Sequence, residues 1–230
     1  MRAAAIALLA LGLAACGGGN DELTVFAAAS LADVLPELDG GARYSFGGSD
    51  ELAAQIRHGA PADVYLSASP KYPSELHAAG LAGPPQIFAT NRLVAIVRRG
   101  YTGGLRSLSE PGVKVVIAAE GVPAGDYARK ALQRLQADEV LGNVVSEEDD
   151  VKGVASKVAL GEADAGLVYA TDAKPVAGKV RVVEVPAGAQ PRIEYAVVIV
   201  REGDRARKFV ERLLGPEGRA ALARAGFGPP

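Results

Sequence analysis

The 230-residue chain has one cysteine, one methionine, two histidines and no tryptophan. A single cysteine, Cys16, excludes an internal disulfide framework and a multi-cysteine metal site. His58 and His77 leave little for histidine-based chemistry. Lysine and arginine number 25 against 27 aspartates and glutamates. No basic excess supports nucleic-acid binding, so no nucleic acid is expected as a partner. No internal repeat of roughly 20–50 residues is visible, which argues against a solenoid. The long uncharged run, residues 3–15, is shorter than the about 20 residues a membrane-spanning helix needs.

What is present is a chain able to build a core. Apolar residues make up 49% and charged residues 23%, which is not the composition of a disordered chain. The 28 glycines exceed the usual share of roughly 7% and point to tight turns or close backbone approaches. Arg2 precedes the uncharged run, which fits the apolar core of a secretory signal over residues 1–15. The run ends Leu13-Ala14-Ala15-Cys16, followed by Gly17-Gly18-Gly19. This resembles the lipobox of bacterial lipoproteins. The resemblance implies cleavage before Cys16, a lipid on that cysteine holding the chain to the membrane, and a tether over 16–22. Loss of Arg2 would change the formal charge from −2 to −3.

Beyond the tether, short β-branched runs alternate with alanine- and leucine-rich helical stretches. Strands are predicted over 23–27, 43–46, 63–67, 92–97, 114–118, 165–169, 180–185 and 193–200. Helices are predicted over 31–38, 51–58, 71–79, 124–136, 151–160, 205–214 and 217–225. Near-continuous apolar strands between helices argue for an α/β protein with mostly parallel sheets covered on both faces. The Pro/Gly stretch 80–85 marks a first crossing between two lobes and 186–191 a second. The first lobe would comprise 23–85, the second 86–190, and the chain would return to the first over 191–230.

Four segments place small or hydroxyl residues between a strand and a helix: Ala28-Ala29-Ser30, Gly47-Gly48-Ser49, Val122-Pro123-Ala124 and Asp149-Asp150-Val151. A helix N-terminus has unpaired N–H donors and a partial positive charge, so it accepts an anion. Open α/β sheets also bind ligands at the carboxyl ends of their strands. For any one such segment, plain helix-start chemistry outweighs function: Ser30 and Ser49 as caps, Pro123 at a first helical position, and Asp50, Glu51, Asp126, Asp149 and Asp150 as first-turn acids. Composition and periodicity alone reach a two-lobed α/β protein binding a small ligand.

The order of motifs is more specific. Val25-Phe26-Ala27-Ala28-Ala29-Ser30-Leu31 is followed by Ser45-Phe46-Gly47-Gly48-Ser49 and Gly59-Ala60-Pro61-Ala62-Asp63. Then come Val122-Pro123-Ala124-Gly125-Asp126-Tyr127, Asp149-Asp150-Val151, Gly166-Leu167-Val168-Tyr169 and Gly226-Phe227. This series resembles the molybdate-binding proteins of bacterial molybdate ABC transporters. The resemblance implies a type II periplasmic-binding-protein fold with an interlobe cleft, outside the cytoplasm. It further implies molybdate or tungstate as ligand, no cofactor, a membrane permease as partner, a monomeric chain and no enzymatic activity. Carried over by position, Ser30 and Ser49 donate from the first lobe. Ala124 and Val151 supply backbone donors from the second, and Tyr169 supplies its hydroxyl. The metal would be held only through its oxyanion, with no direct protein ligand.

The chemistry is consistent. A fully deprotonated tetrahedral oxyanion has only acceptors and wants a shell of donors. Two departures from the family stand out. The segment between Ser30 and Phe46 is several residues short, and position 48 is glycine where many members have serine. Asp63 is expected to be structural, and Asp172 to cap the element after Tyr169 in preference to steadying the cleft. Tyr65 and Ser67 suit a packed strand as well as the cleft wall. Three other functions compete: a binding protein for another tetrahedral oxyanion such as sulfate, a serine hydrolase using Ser30, and a regulatory domain of the same fold. The hydrolase lacks a Gly-x-Ser-x-Gly elbow, and the regulatory domain would need a DNA-binding segment where the secretion signal stands.

Overall fold

The computed structural model describes residues 22–230. The predicted signal peptide, Cys16 and all of the tether but Glu22 lie outside the described residues. The chain begins with β1 (Thr24–Ala28), a 3-10 turn (Ala29–Leu31), α1 (Leu35–Leu38), β2 (Arg43–Gly47), α2 (Ser49–Arg57), β3 (Val64–Ser67), α3 (Lys71–Ala78) and β4 (Gln86–Asn91). It continues through β5 (Leu93–Arg98), β6 (Val115–Ala118), α4 (Pro123–Arg134), β7 (Val144–Glu148), α5 (Val151–Leu160), β8 (Ala165–Tyr169), α6 (Ala170–Ala173) and β9 (Val180–Glu184). It closes with β10 (Ile193–Ile199), α7 (Asp204–Leu214) and α8 (Pro216–Ala225).

Two five-stranded sheets result, ordered β2-β1-β3-β10-β4 and β7-β6-β8-β5-β9. They repeat one plan. In each, three parallel strands are followed by one strand that runs antiparallel to both its neighbours. The reversed strand is β10 in the first sheet and β5 in the second. The expectation of mostly parallel sheets is therefore refined to two mixed ones. The reversal occurs where the chain changes sheets, because β4 leads directly into β5 and β9 into β10 across the lobe boundary.

The first crossing is not at 80–85. β4 pairs with β10 in the first sheet, so the chain leaves that lobe between Asn91 and Leu93. The prolines at 84 and 85 only precede the edge strand. Their missing N–H groups are tolerated there. The return lies between Glu184 and Ile193. Gln190 joins the two crossings: its Oε1 accepts from the Leu93 N–H at 3.0 Å, and its Nε2 donates to the Leu93 carbonyl at 2.7 Å. The helix predicted over 31–38 is also broken. The 3-10 turn with its i→i+3 bonds comes first, and Pro36 sits in the opening turn of a separate short α1.

Alternate side chains of the central strands serve opposite faces. Val25 and Ala27 belong to one hydrophobic cluster, while Phe26 packs with Leu52, Ile56, Tyr65 and Leu76 in another. Both faces are thus covered, which is why β1 reads as a continuous apolar run. On α7, Ala206, Phe209, Val210 and Leu213 recur at the helical period and are buried.

Gly125 sets how closely α4 approaches its own sheet. A Cβ there would lie 2.2 Å from the carbonyl oxygens of Ala118 and Ala119, a clash with backbone that no rotamer relieves. Gly125→Ala is expected to lower stability by about 1–3 kcal/mol, the usual cost of overpacking, read as a lower midpoint in urea unfolding.

Candidate functional site

The carboxyl ends of β1, β2, β6, β7 and β8 face one cleft between the lobes. Ser30, Ser49, Ala124, Val151 and Tyr169 all line it, with Gly47, Gly48, Ala68, Pro123 and Asp150 between them. The five residues expected at the site are therefore brought together. The cleft is small and closely lined.

The lining is rich in donors. Ser49 opens α2, Pro123 and Ala124 open α4, and Val151 opens α5. The first N–H groups of a helix have no partner within it, and Pro123 lacks one. The capping explanation for the two serines does not hold: neither the turn carrying Ser30 nor α2 has a side-chain cap. Ser49 Oγ instead accepts from the Ala68 N–H at 3.1 Å, leaving its own hydrogen free to point elsewhere. The buried Tyr65 hydroxyl donates to the Ser49 carbonyl at 2.6 Å and fixes that residue from below. Ser30 Oγ lies 2.8 Å from Tyr195 Oη.

Tyr169 is 1% exposed, and its hydroxyl is buried without a hydrogen-bond partner among the described residues. Burial raises its pKa well above the ordinary phenol value, so it keeps its proton and can donate. An unmatched buried hydroxyl costs free energy unless something accepts from it. Among the described residues, no lysine or arginine lines the cleft. Asp150, its one carboxylate, is turned away as the cap of α5 and accepts from the Gly153 N–H at 2.9 Å.

The lobes touch on both sides of the cleft. The Tyr72 hydroxyl of α3 donates to the Gly121 carbonyl of the other lobe. Lys152 of α5 pairs with Asp33 of the first lobe and stands 3.7 Å from the buried Asp172. A Cβ on Gly48 would lie 2.5 Å from the Asp149 carbonyl oxygen. With the lobes this close, a side chain at position 48 has no room.

Other residues stand away from the cleft. Asp63 accepts from the Thr24 N–H at 2.8 Å and from Arg201, tying β1 to the end of β10. Ser67 Oγ accepts from the Ser69 N–H. Asp172 does not cap α6, which has no side-chain cap; its carboxylate faces Lys152 instead. Neither histidine approaches Ser30: His77 Nδ1 pairs with the Ala82 carbonyl, and His58 is exposed at the end of α2. Sequence reasoning missed Tyr195, Asn91 and Lys152. The first two sit at the seam of β10 and β4, and only the packing of distant segments reveals them.

Residues 23–228 match the family described as bacterial extracellular solute-binding protein. The chain belongs to that family. Among relatives of this solute-binding protein, the molybdate-binding protein ModA of Mycobacterium tuberculosis is 36% identical over 252 aligned positions, covering 97% of this chain and 95% of that one. ModA of Escherichia coli is 33% identical, covering 90% and 88%. The solved periplasmic molybdate-binding protein of Azotobacter vinelandii superposes with a TM-score of 0.82 at 27% identity, covering 91% of this chain and all of that one. The fold of this solute-binding protein is the two-lobed periplasmic-binding-protein fold.

Asp172 generates a pH prediction. Burial, then the Asp33 and Asp150 carboxylates, raise its pKa from 3.8 to about 7, against the lowering effect of Lys152. Between those values the folded chain holds a proton that the unfolded chain has released. The resulting stability is complete below the lower value and is lost as pH rises through the upper one. Asp172→Asn keeps a neutral group at every pH. The melting temperature of the parent relative to this variant is expected to fall steadily from pH 4 to pH 8; a constant difference would show that Asp172 is ionised throughout.

Proposed function

We propose that the chain captures molybdate, or tungstate, outside the cytoplasm and delivers it to the permease of an ABC transporter. The observation that carries this reading is the cleft itself. Among the described residues it offers hydroxyl and backbone N–H donors from both lobes, an unmatched buried tyrosine hydroxyl and no cation. A tetrahedral dianion that carries no proton has acceptors on every side and suits such a shell. Hydrogen bonds to an ionised acceptor are roughly twice as strong as neutral ones. They offset the loss of hydration without a buried counter-ion, which is itself costly to desolvate. The names of the relatives, which print molybdate, support that part of the reading.

Within this reading Ser30, Ser49 and Tyr169 donate side-chain hydroxyls, and Ala124 and Val151 donate backbone N–H groups. The protein acts by binding and release and transforms nothing. Because the donors belong to two lobes, binding favours the closed cleft over an open one. Attachment of Cys16 to lipid would keep the loaded protein near its permease.

Thermal titration with molybdate, tungstate and sulfate tests the ligand. A ligand present at 1,000 times its Kd raises stability by about 4 kcal/mol, so molybdate and tungstate should each lift the melting temperature at micromolar-to-millimolar levels. A shift with sulfate alone would reassign the protein to that anion. Ser30→Ala and Ser49→Ala should each weaken molybdate binding by about 1.5–3 kcal/mol, the worth of a hydrogen bond to a charged group. Calorimetry would read this as a loss of roughly ten- to a hundred-fold in affinity, with the unfolding of the anion-free chain little changed. Unaltered affinity in both variants would remove these serines from the site.

A further inference from the structure

Behind Ser30 runs a short polar chain that ends at the lobe crossing. Asn91 is the last residue of β4 and pairs with Ile193 of β10. Its Oδ1 accepts from the Arg92 N–H at 2.9 Å, which fixes the oxygen end of the amide. The other end, Nδ2, therefore faces two hydroxyls and donates to both. These are Thr171 Oγ1 of the second lobe at 3.0 Å and Tyr195 Oη of the first at 3.4 Å. Tyr195 is fully buried, and β10 slips register against β4 at Tyr195–Ala196; such bulges re-aim side chains. Phe227 and Phe88 pack edge-on against its ring at 5.3 and 6.0 Å, holding it in place.

A direction of donation follows. Tyr195 Oη accepts from Asn91, so its hydrogen is available to the neighbour 2.8 Å away, Ser30 Oγ. Ser30 then accepts from the tyrosine and must send its own hydrogen into the cleft. We propose that Asn91 and Tyr195 are positioning residues that hold Ser30 as an obligate donor, so that the site selects oxyanions carrying no proton. This rests on the function proposed above. An oxyanion bearing a hydrogen, such as hydrogenarsenate, needs an acceptor where Ser30 offers only a donor. The same amide also reaches Thr171 of the second lobe.

Asn91→Asp reverses the chain with almost no change of shape. The carboxylate still accepts from the Arg92 N–H but can only accept from Tyr195. The tyrosine must then take its hydrogen bond from Ser30, whose hydrogen is withdrawn from the anion. Added charge alone would weaken all dianions alike, so the reading is a ratio. The affinity for hydrogenarsenate relative to molybdate, by calorimetry near pH 8, is expected to rise at least about tenfold in Asn91→Asp, one hydrogen bond's worth. Tyr195→Phe cuts the chain. It should raise the Kd for molybdate about tenfold, and adding Asn91→Asp to it should leave the anion ratio unchanged. If Asn91→Asp does not fold, Asn91→Ala replaces it; that variant frees the tyrosine, and molybdate affinity should fall while the ratio rises less. An unchanged ratio in the single variants, or the same rise with and without the tyrosine hydroxyl, would overturn the proposal. Molybdate binding by the parent alongside either result leaves the proposed function standing, whereas a parent that binds no molybdate removes both.

Discussion

Backbone N–H groups at the first turn of a helix have nowhere to go within that helix, and this chain directs several such turns at a single cleft. Parallel strands in each lobe carry their carboxyl ends to the same edge, and the helices that follow begin there. Since β2-β1-β3 and β7-β6-β8 share one arrangement, the two lobes present matching donor edges to each other. Everything else at the site respects this surplus. Asp150 is committed to Gly153, and Asp126 to the Gly121 N–H at 2.9 Å. Both of these carboxylates are thus spent on backbone N–H groups. A cleft built this way is positive without containing a cation, which reconciles an acidic chain with an anionic ligand.

Closeness is the second constraint, and glycine meets it. Gly125 lets α4 lie on the end of β6, and Gly48 lets the Asp149 carbonyl come over the start of α2. Neither role demands a positive φ; both demand the absence of a Cβ. The 28 glycines thus have at least two uses at the site beyond turning the chain. The closed cleft is held at its rim by groups of modest worth. Lys152 and Asp33 are partly solvated, and exposed pairs of that kind contribute up to about 1 kcal/mol. A rim that weak stabilises closure without preventing opening, as release of a ligand requires.

The parts of the site that were legible in the sequence are those made by consecutive residues. Ser30, Ser49, Ala124 and Val151 each follow a strand within a few positions, and a small residue before a helix is a local signal. Tyr169 was legible only by family resemblance, since a tyrosine ending an apolar strand has no local mark of function. The reversed strands were not legible at all, because β5 and β10 are apolar whichever way they run. β4 was lost for a physical reason: two prolines precede an edge strand whose outer side needs no donors, and they read as a boundary. β7 is acidic and partly exposed at the other edge, so its alternation carried little apolar signal. Asp172 was read as a cap from its position, whereas its partner Lys152 lies 20 residues away in sequence on another helix.

Tyr195 shows most clearly what a linear reading leaves out. It lies 165 residues from Ser30 and 104 from Asn91, in a strand whose neighbours are apolar, and it touches no helix start. Its hydroxyl is nevertheless placed to decide which way the Ser30 hydroxyl points. A serine can donate or accept, and the same cleft with its serine reversed would favour a different ion. Specificity of this kind is set by the groups that constrain the donors as well as by those that touch the ligand. The β-bulge at Tyr195 and the edge-on packing of Phe227 hold that constraint in place. This also gives the Gly226-Phe227 ending of the motif series a use. Gly226 adopts a φ of +103 that ends α8, and the turn delivers the phenylalanine ring to the tyrosine whose orientation governs Ser30.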